Sequence, residues 1–421
     1  MTDNYILKAV LIADTLAAPF DSLSHGHIKT YFREINSYTD TAAALKNSMH
    51  KWKKPGLYTF VSQLTVISAI MGGNRNFNAA DLLNFIKNSP DIENYDFKFL
   101  RYPDYLTEIM CTSPDFFASP GTKKIKSDFL PLFTAVMSMF IPGNKLPAKD
   151  IFNFCISLTS DIEVVTYSLF FTFLTSMINE TDPNDAVLQA CSSTDDFFNT
   201  NQPFIFSSGF NPDGFITESG KLKSIMSDII SSPGKGEKTI IDNFNKTSKT
   251  PITRATIDNL CVIIQYAAAI VLNDTNPSAK TVINSVSLGG SVHAIAVYVS
   301  VLCALVSGND IFAGEKNLTE DLINRRKILE LMSKISDGKC GINCIREFIE
   351  DEIPLTKKAL EEANAKVKKT KIKSPKKART RETQDEKLSR HVVESWTKID
   401  KARYKKEKTR QNSGDNNDYE N

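Results

Sequence analysis

The apolar positions of this chain recur with helical spacing, and no stretch alternates apolar and polar residues with period two. The longest apolar segment, Asn284 to Phe312, begins with a polar turn carrying Gly289 and Gly290. It then runs as a helix to about Ser307-Gly308. Ile6–Phe20 is a second apolar helix, carrying one acid, Asp14, and stopped by Pro19. Further helices are predicted from Ala42, over Leu57–Met71 and Ala79–Lys87 either side of a Gly72-Gly73-Asn74 break, and within Lys126–Phe140. Others fall over Lys149–Leu158, Asp161–Ile178 and Ile257–Leu272. Asn179–Thr250 offers only short pieces, near Ala186–Cys191 and Leu222–Ile230. Two last helices, Asp321–Ile335 and Cys344–Asp351, precede Pro354. The expected architecture is all-α: one large helical domain over residues 1–353 and a charged, lysine-rich tail over residues 354–421.

The tail differs in kind. Lys366–Arg381 holds nine basic residues in 16 and no acid, a composition that cannot bury a core and is expected to be disordered on its own. Beyond it, Leu388, Val392, Trp396 and Ile399 form one narrow apolar stripe on a charged helix.

Composition sharpens the division. The chain has 421 residues, 41% of them hydrophobic, and a net charge of +2. From Lys357 onward there are 20 Lys and Arg against 11 Asp and Glu, so the remainder is mildly acidic. Affinity for nucleic acid is therefore expected only of the tail, weak and sequence-independent. Its bland alternative is a solvated, solubilising segment, since Trp396 and Tyr404 lie outside the basic run. Seven cysteines spread over the chain do not form a disulfide framework. Cys340 and Cys344 are the only close pair, with no second Cys/His pair at zinc-finger spacing, so buried reduced thiols are the default. The apolar runs fall short of a membrane span and no signal-peptide pattern opens the chain. A cytoplasmic protein without membrane partners is expected, the basic run being the feature that would direct it to a nucleus.

The candidate chemistry is sparse. Asp14 on its apolar helix reads structurally as a cap or bridge to another helix end, because a buried carboxylate needs a partner. Thr39 and Asp40 read as N-cap residues before Ala42. Gly289-Gly290 supplies backbone freedom before a helix whose first turn, Ser291-Val292-His293, points free N–H groups outward. The plain reading is a buried helix entered through a turn. Ser232–Thr239 (SPGKGEKT) lacks both P-loop spacing and a preceding strand.

Compared with a known family, these same places line up. Gly289-Gly290-Ser291-Val292-His293-Ala294 resembles the Gly-Gly-Asp-x-Asp-Thr signature of the ADP-ribosylglycohydrolases, with both glycines kept and both aspartates replaced. Ala13-Asp14-Thr15 is similar to the family's Gly-Asp-Ala, and Thr39-Asp40-Thr41 to its Thr-Asp-Asp. Ser127-Asp128, before Pro131-Leu132, stands at the pattern whose polar residues line the ADP-ribose cleft. Leu158-Thr159-Ser160-Asp161 stands at the Thr-His-x-Asp junction, with Thr159 or Ser160 read as the cap and Asp161 as complement to the helix dipole.

The resemblance implies a helical fold, two Mg²⁺ ions and cleavage of ADP-ribosyl linkages. It places Asp14 and Asp40 at catalytic positions, and Ser127, Asp128, Gly289 and Gly290 along the ligand. The metal-ligand remnants are Thr39 and Asp40, with Thr41, Ser291 and His293 at substituted positions. Three lost acids leave a magnesium pair undercharged, and His293 suits softer metals. The expected function is thus an inactive or weakened relative without cofactor, binding ADP-ribose or an ADP-ribosylated protein, or serving as a scaffold. The alternative is an active Mg²⁺-dependent hydrolase. Restoring aspartate at 41, 291 and 293 together is expected to recover metal affinity.

Overall fold

The structure is a computed structural model and describes residues 4–41, 53–76, 78–87, 99–104, 106, 110, 127–143, 148–231, 242 and 259–372. Among these residues there is helix and no strand. The helices are α1 (Asn4–Ala17), α2 (His25–Phe32), α3 (Phe60–Gly73), α4 (Ala79–Lys87), α5 (Leu130–Met139), α6 (Ala148–Leu158), α7 (Ile162–Met177) and α8 (Pro183–Thr200). They continue with α9 (Gln202–Ser207), α10 (Pro212–Ser231), α11 (Leu260–Leu272), α12 (Ala279–Val286), α13 (Val292–Ser307), α14 (Lys316–Glu320), α15 (Arg325–Ser336) and α16 (Asn343–Ile372).

Helices that are apolar on every side occupy the centre, since no face of them prefers water. In α3 every residue from Phe60 to Gly72 is buried, and in α13 every residue from Val292 to Leu305. α1 lies along α13 and also meets α3; α13 packs in turn on α11 and α12, and α3 packs on α5. The amphipathic α8, α10 and α15 flank this centre, with α8 and α10 packed on each other and on α7, and α15 on α1 and α3. Gly72 also belongs to the α3–α5 crossing: a Cβ there would lie 1.9 Å from the Met137 carbonyl oxygen. The helix ends one residue later, at Gly73.

Several expected boundaries shift. The region after Asn179 holds two long helices, not short pieces. Asp182 caps α8, accepting a hydrogen bond from the Asn184 N–H at 2.9 Å, with Pro183 in its first turn. Its buried residues Ala186, Val187, Ala190, Cys191, Thr194, Phe197 and Phe198 form one stripe among many short polar residues. At the α6–α7 junction the cap of α7 is Asp161, which accepts from the Glu163 and Val164 N–H groups at 3.0 and 3.4 Å. Thr159 instead receives the Asp161 N–H. The last described helix, α16, does not stop before Pro354 but passes through it to Ile372, into the first residues of the basic run. Ile345, Phe348, Ile349, Ile353 and Ala359 anchor it in the core, and extending an established helix costs little compared with nucleating one. The helix expected from Ala42, the Ser232–Thr239 segment and the striped helix of the tail lie outside the described residues.

Candidate functional site

The start of α3 is densely hydrogen-bonded, and Asp14 is its anchor. A helix start leaves backbone N–H groups without intrahelical partners, and here they are buried away from water. Asp14 Oδ2 accepts from the Thr59 N–H (2.8 Å), the Ser62 N–H (3.1 Å) and the Ser62 hydroxyl (2.6 Å). Its Oδ1 accepts from the Thr59 hydroxyl (2.7 Å) and from His293 Nε2 (2.7 Å). The Thr59 hydroxyl oxygen takes the Val61 N–H, and the Arg101 carbonyl takes the Phe60 N–H. Every donor of the first turn is thereby satisfied, and a negative charge sits at the positive end of the helix dipole. Burial pushes the Asp14 carboxyl up, but hydrogen bonding and attraction to His293, with the hydroxyls of Ser62 and Thr59, hold it below its ordinary 3.8. An ionised carboxylate only accepts, so the His293 Nε2 carries the proton. His293 sits in the first turn of α13, 5% exposed, with its ring centroid 5.1 Å from that of Phe129.

Gly289 and Gly290 serve a close backbone approach. Gly290 exchanges two backbone hydrogen bonds with the segment before α2: its N–H donates to Leu23 O, and Ser22 N–H donates to its carbonyl, both at 2.9 Å. Both glycines have positive φ, +86° and +75°. A Cβ on Gly289 would lie 2.4 Å from the His25 backbone nitrogen. His25 Nδ1 completes the seam with a 2.7 Å contact to the Ser287 carbonyl. The frame that holds α13 in place is thus built from its docking onto α2.

The structure brings Asp14 and His293 into contact at 2.7 Å. Asp40 is exposed and forms an ion pair with Lys366 of α16. Thr39 donates its hydroxyl to the Ser37 carbonyl. Thr41 is fully buried and its hydroxyl finds no hydrogen-bond partner among the described residues. Ser291 opens α13 without a side-chain capping bond. Ser127 donates to Asp104 at 3.0 Å and accepts from the Phe129 and Leu130 N–H groups at the start of α5. The Asp128 carbonyl receives the Tyr298 hydroxyl at 2.7 Å.

This donor set does not fit a pair of magnesium ions, which need several free oxygen ligands in octahedral array. Five donors already fill the Asp14 oxygens, and the groups in contact with them are two backbone N–H groups, two neutral hydroxyls and an imidazole nitrogen, none of which adds negative charge. Among the described residues no three His, Cys, Asp or Glu side chains gather as a metal site. A shallow, open depression of about 360 Å³ lies elsewhere, lined by Ile270, Asn273, Asp274, Thr281, Asn284 and Leu288, and neither Asp14 nor His293 borders it.

Beside the Asp14 cluster lies a second buried network, built on Arg101 and Glu352, which are 2% and 0% exposed. Arg101 forms an ion pair with Glu352, donates Nε to the Tyr58 carbonyl (2.7 Å) and lies over the Tyr58 ring at 4.5 Å. Glu352 also receives the Tyr58 hydroxyl (2.6 Å) and the Gln63 amide (2.8 Å). Burial, and then the charge of Glu352, raise the Tyr58 hydroxyl far above its ordinary range, so it remains a donor. None of these residues stood out by type and spacing. The available signal was position: Glu352 falls on the same helical face as Ile345, Phe348, Ile349 and Thr356, where a carboxylate must have a partner.

Comparison with protein-family models finds no match for the chain, and comparison with curated proteins finds none.

Proposed function

We propose that this is an ADP-ribosylglycohydrolase-like helical protein that has no glycohydrolase turnover and acts by binding. The observation that supports this reading is the state of Asp14: the acid at the matched catalytic position is buried and wholly engaged in capping α3. A carboxylate in that state has no lone pair free to take a proton from water or to hold a cation. The ligand class comes from the resemblance alone, as free ADP-ribose or an ADP-ribosylated protein. Titration calorimetry of the full chain with ADP-ribose, with and without Mg²⁺, tests it. Saturable binding of equal affinity in both buffers is expected. Binding that requires Mg²⁺ would favour the hydrolase alternative, and absence of binding in both would remove the ADP-ribose ligand.

A further inference from the structure

Among the described residues three large apolar side chains stand exposed: Tyr31 at 51%, Phe206 at 74% and Leu360 at 36%. A single exposed aromatic is ordinary on a protein surface, so the surroundings decide what each can receive. Tyr31 sits between Lys29 and Arg33. Leu360 follows Lys357 and Lys358, and Glu362, two residues on, already pairs with Lys54 at 2.7 Å. Phe206 differs. It belongs to α9, the short helix that packs on α8 and α10, and from Asn179 to Gly220 the chain has seven acids and no Lys, Arg or His. Of these acids, Glu180, Asp182, Asp185, Asp196 and Asp213 are exposed. Among the described residues only Glu218 of the seven has a cation partner, Lys221 at 3.1 Å. Lys149 of α6 already lies over the ring of Phe204, two residues before Phe206, at 5.1 Å.

We infer that the face made by Phe206 of α9 and the exposed acids of α8 and α10 docks the chain's own segment Lys387–Arg410, which lies outside the described residues. Two properties of that segment match the face. It carries nine Lys and Arg against three Asp and Glu, opposite in sign to the acids. Its stripe of Leu388, Val392, Trp396 and Ile399 has helical spacing but is too narrow to bury itself, so it needs an apolar surface such as the Phe206 ring. Exposed ion pairs contribute little one at a time. Opposite potentials over an extended face steer and orient the segment, and contact between Phe206 and the stripe removes apolar surface from water. The tail has the length for this. From Ile372, where α16 ends, to Lys387 the chain spans up to about 50 Å, against a radius of gyration of about 21 Å for a domain of this size. The same charges keep polyanions off the face, so a polyanion that binds the tail must draw it away from α9.

A carbodiimide joins a carboxylate to a lysine amine in direct contact, so it reads the docked pairs. The full-length chain, freed of nucleic acid, is crosslinked at low and at molar salt as an equal mixture of unlabelled and ¹⁵N-labelled protein, then digested and mapped by mass. The expected result is crosslinks within one chain between lysines of Lys387–Arg410 and Asp185, Asp196 or Asp213, lost at molar salt. Phe206→Ser changes no charge; it is expected to lower the yield of these crosslinks and to move elution from heparin to higher salt, because the tail is released. Its thermal unfolding should match that of the native chain, since the ring is already exposed. Trp396→Ser should lower the crosslink yield from the other side of the contact. Tail lysines that join no acid of the helical domain, join acids elsewhere in it, or join only chains of the other label would overturn the inference. So would a Phe206→Ser protein whose crosslinks equal those of the native chain.

Discussion

Asp14 shows how one side chain decides between chemistry and architecture. Removing its carboxylate strands two backbone N–H groups, two hydroxyls and an imidazole N–H inside the core. Asp14→Ala is therefore expected to destabilise the protein by about 3–5 kcal/mol in urea unfolding, the range for breaking a buried, charge-assisted set. Asp14→Asn keeps the shape and should cost less. Because the folded carboxyl titrates below its ordinary 3.8, its contribution is complete above that pH and is lost as pH falls through the lowered value. Unfolding followed from pH 6 to pH 2 should show this slope in the native chain, and a shallower one in Asp14→Asn. The same geometry bears on His293→Asp made alone. That substitution puts a second buried carboxylate against Asp14, and like charges at such range disfavour joint ionisation. It should lower stability without creating Mg²⁺ affinity, which thermal unfolding with and without Mg²⁺ measures.

At the scale of elements, helix identity was legible wherever the apolar pattern was continuous. α1, α3, α7, α11 and α13 fall close to where periodicity puts them. What periodicity cannot carry is the crossing of elements. Gly72-Gly73 does mark the end of α3, but Gly72 also lets α5 approach, and only the fold reveals that neighbour. Gly72→Ala is expected to cost about 1–3 kcal/mol by overpacking against the Met137 backbone, measured by chemical unfolding, whereas Gly220→Ala, with open space around it, should not destabilise. Pro354, by contrast, misleads, since the Arg101–Glu352 network and the core stripe of α16 hold the helix on both sides of it. Glu352→Ala should lose about 3–5 kcal/mol by stranding Arg101, and the paired change Arg101→Met with Glu352→Leu should recover much of that loss.

Over the whole molecule, the all-α class was readable from the absence of period-two alternation. The site was not, because its logic lies in contacts between residues far apart in sequence: Asp14 with Thr59 and His293, and Arg101 with Glu352. Asp14 does meet His293, whereas Asp40 pairs with Lys366 on the surface. The charge imbalance after Lys357 remains the one long-range property read directly from composition. Deleting residues 373–421 is expected to abolish low-salt retention on heparin, with the full chain eluting progressively earlier as salt rises. Unchanged retention would assign the affinity to the helical domain.

The central claim is that the acid at the heart of this fold holds a helix and not a metal. The most direct measurement is hydrolysis of arginine-, serine- and acetyl-linked ADP-ribose by the unmodified full-length chain, in Mg²⁺ and in Mn²⁺, with a chelator control. No release of ADP-ribose above the protein-free background is predicted in any combination. Turnover that requires the metal and disappears on chelation would contradict the account.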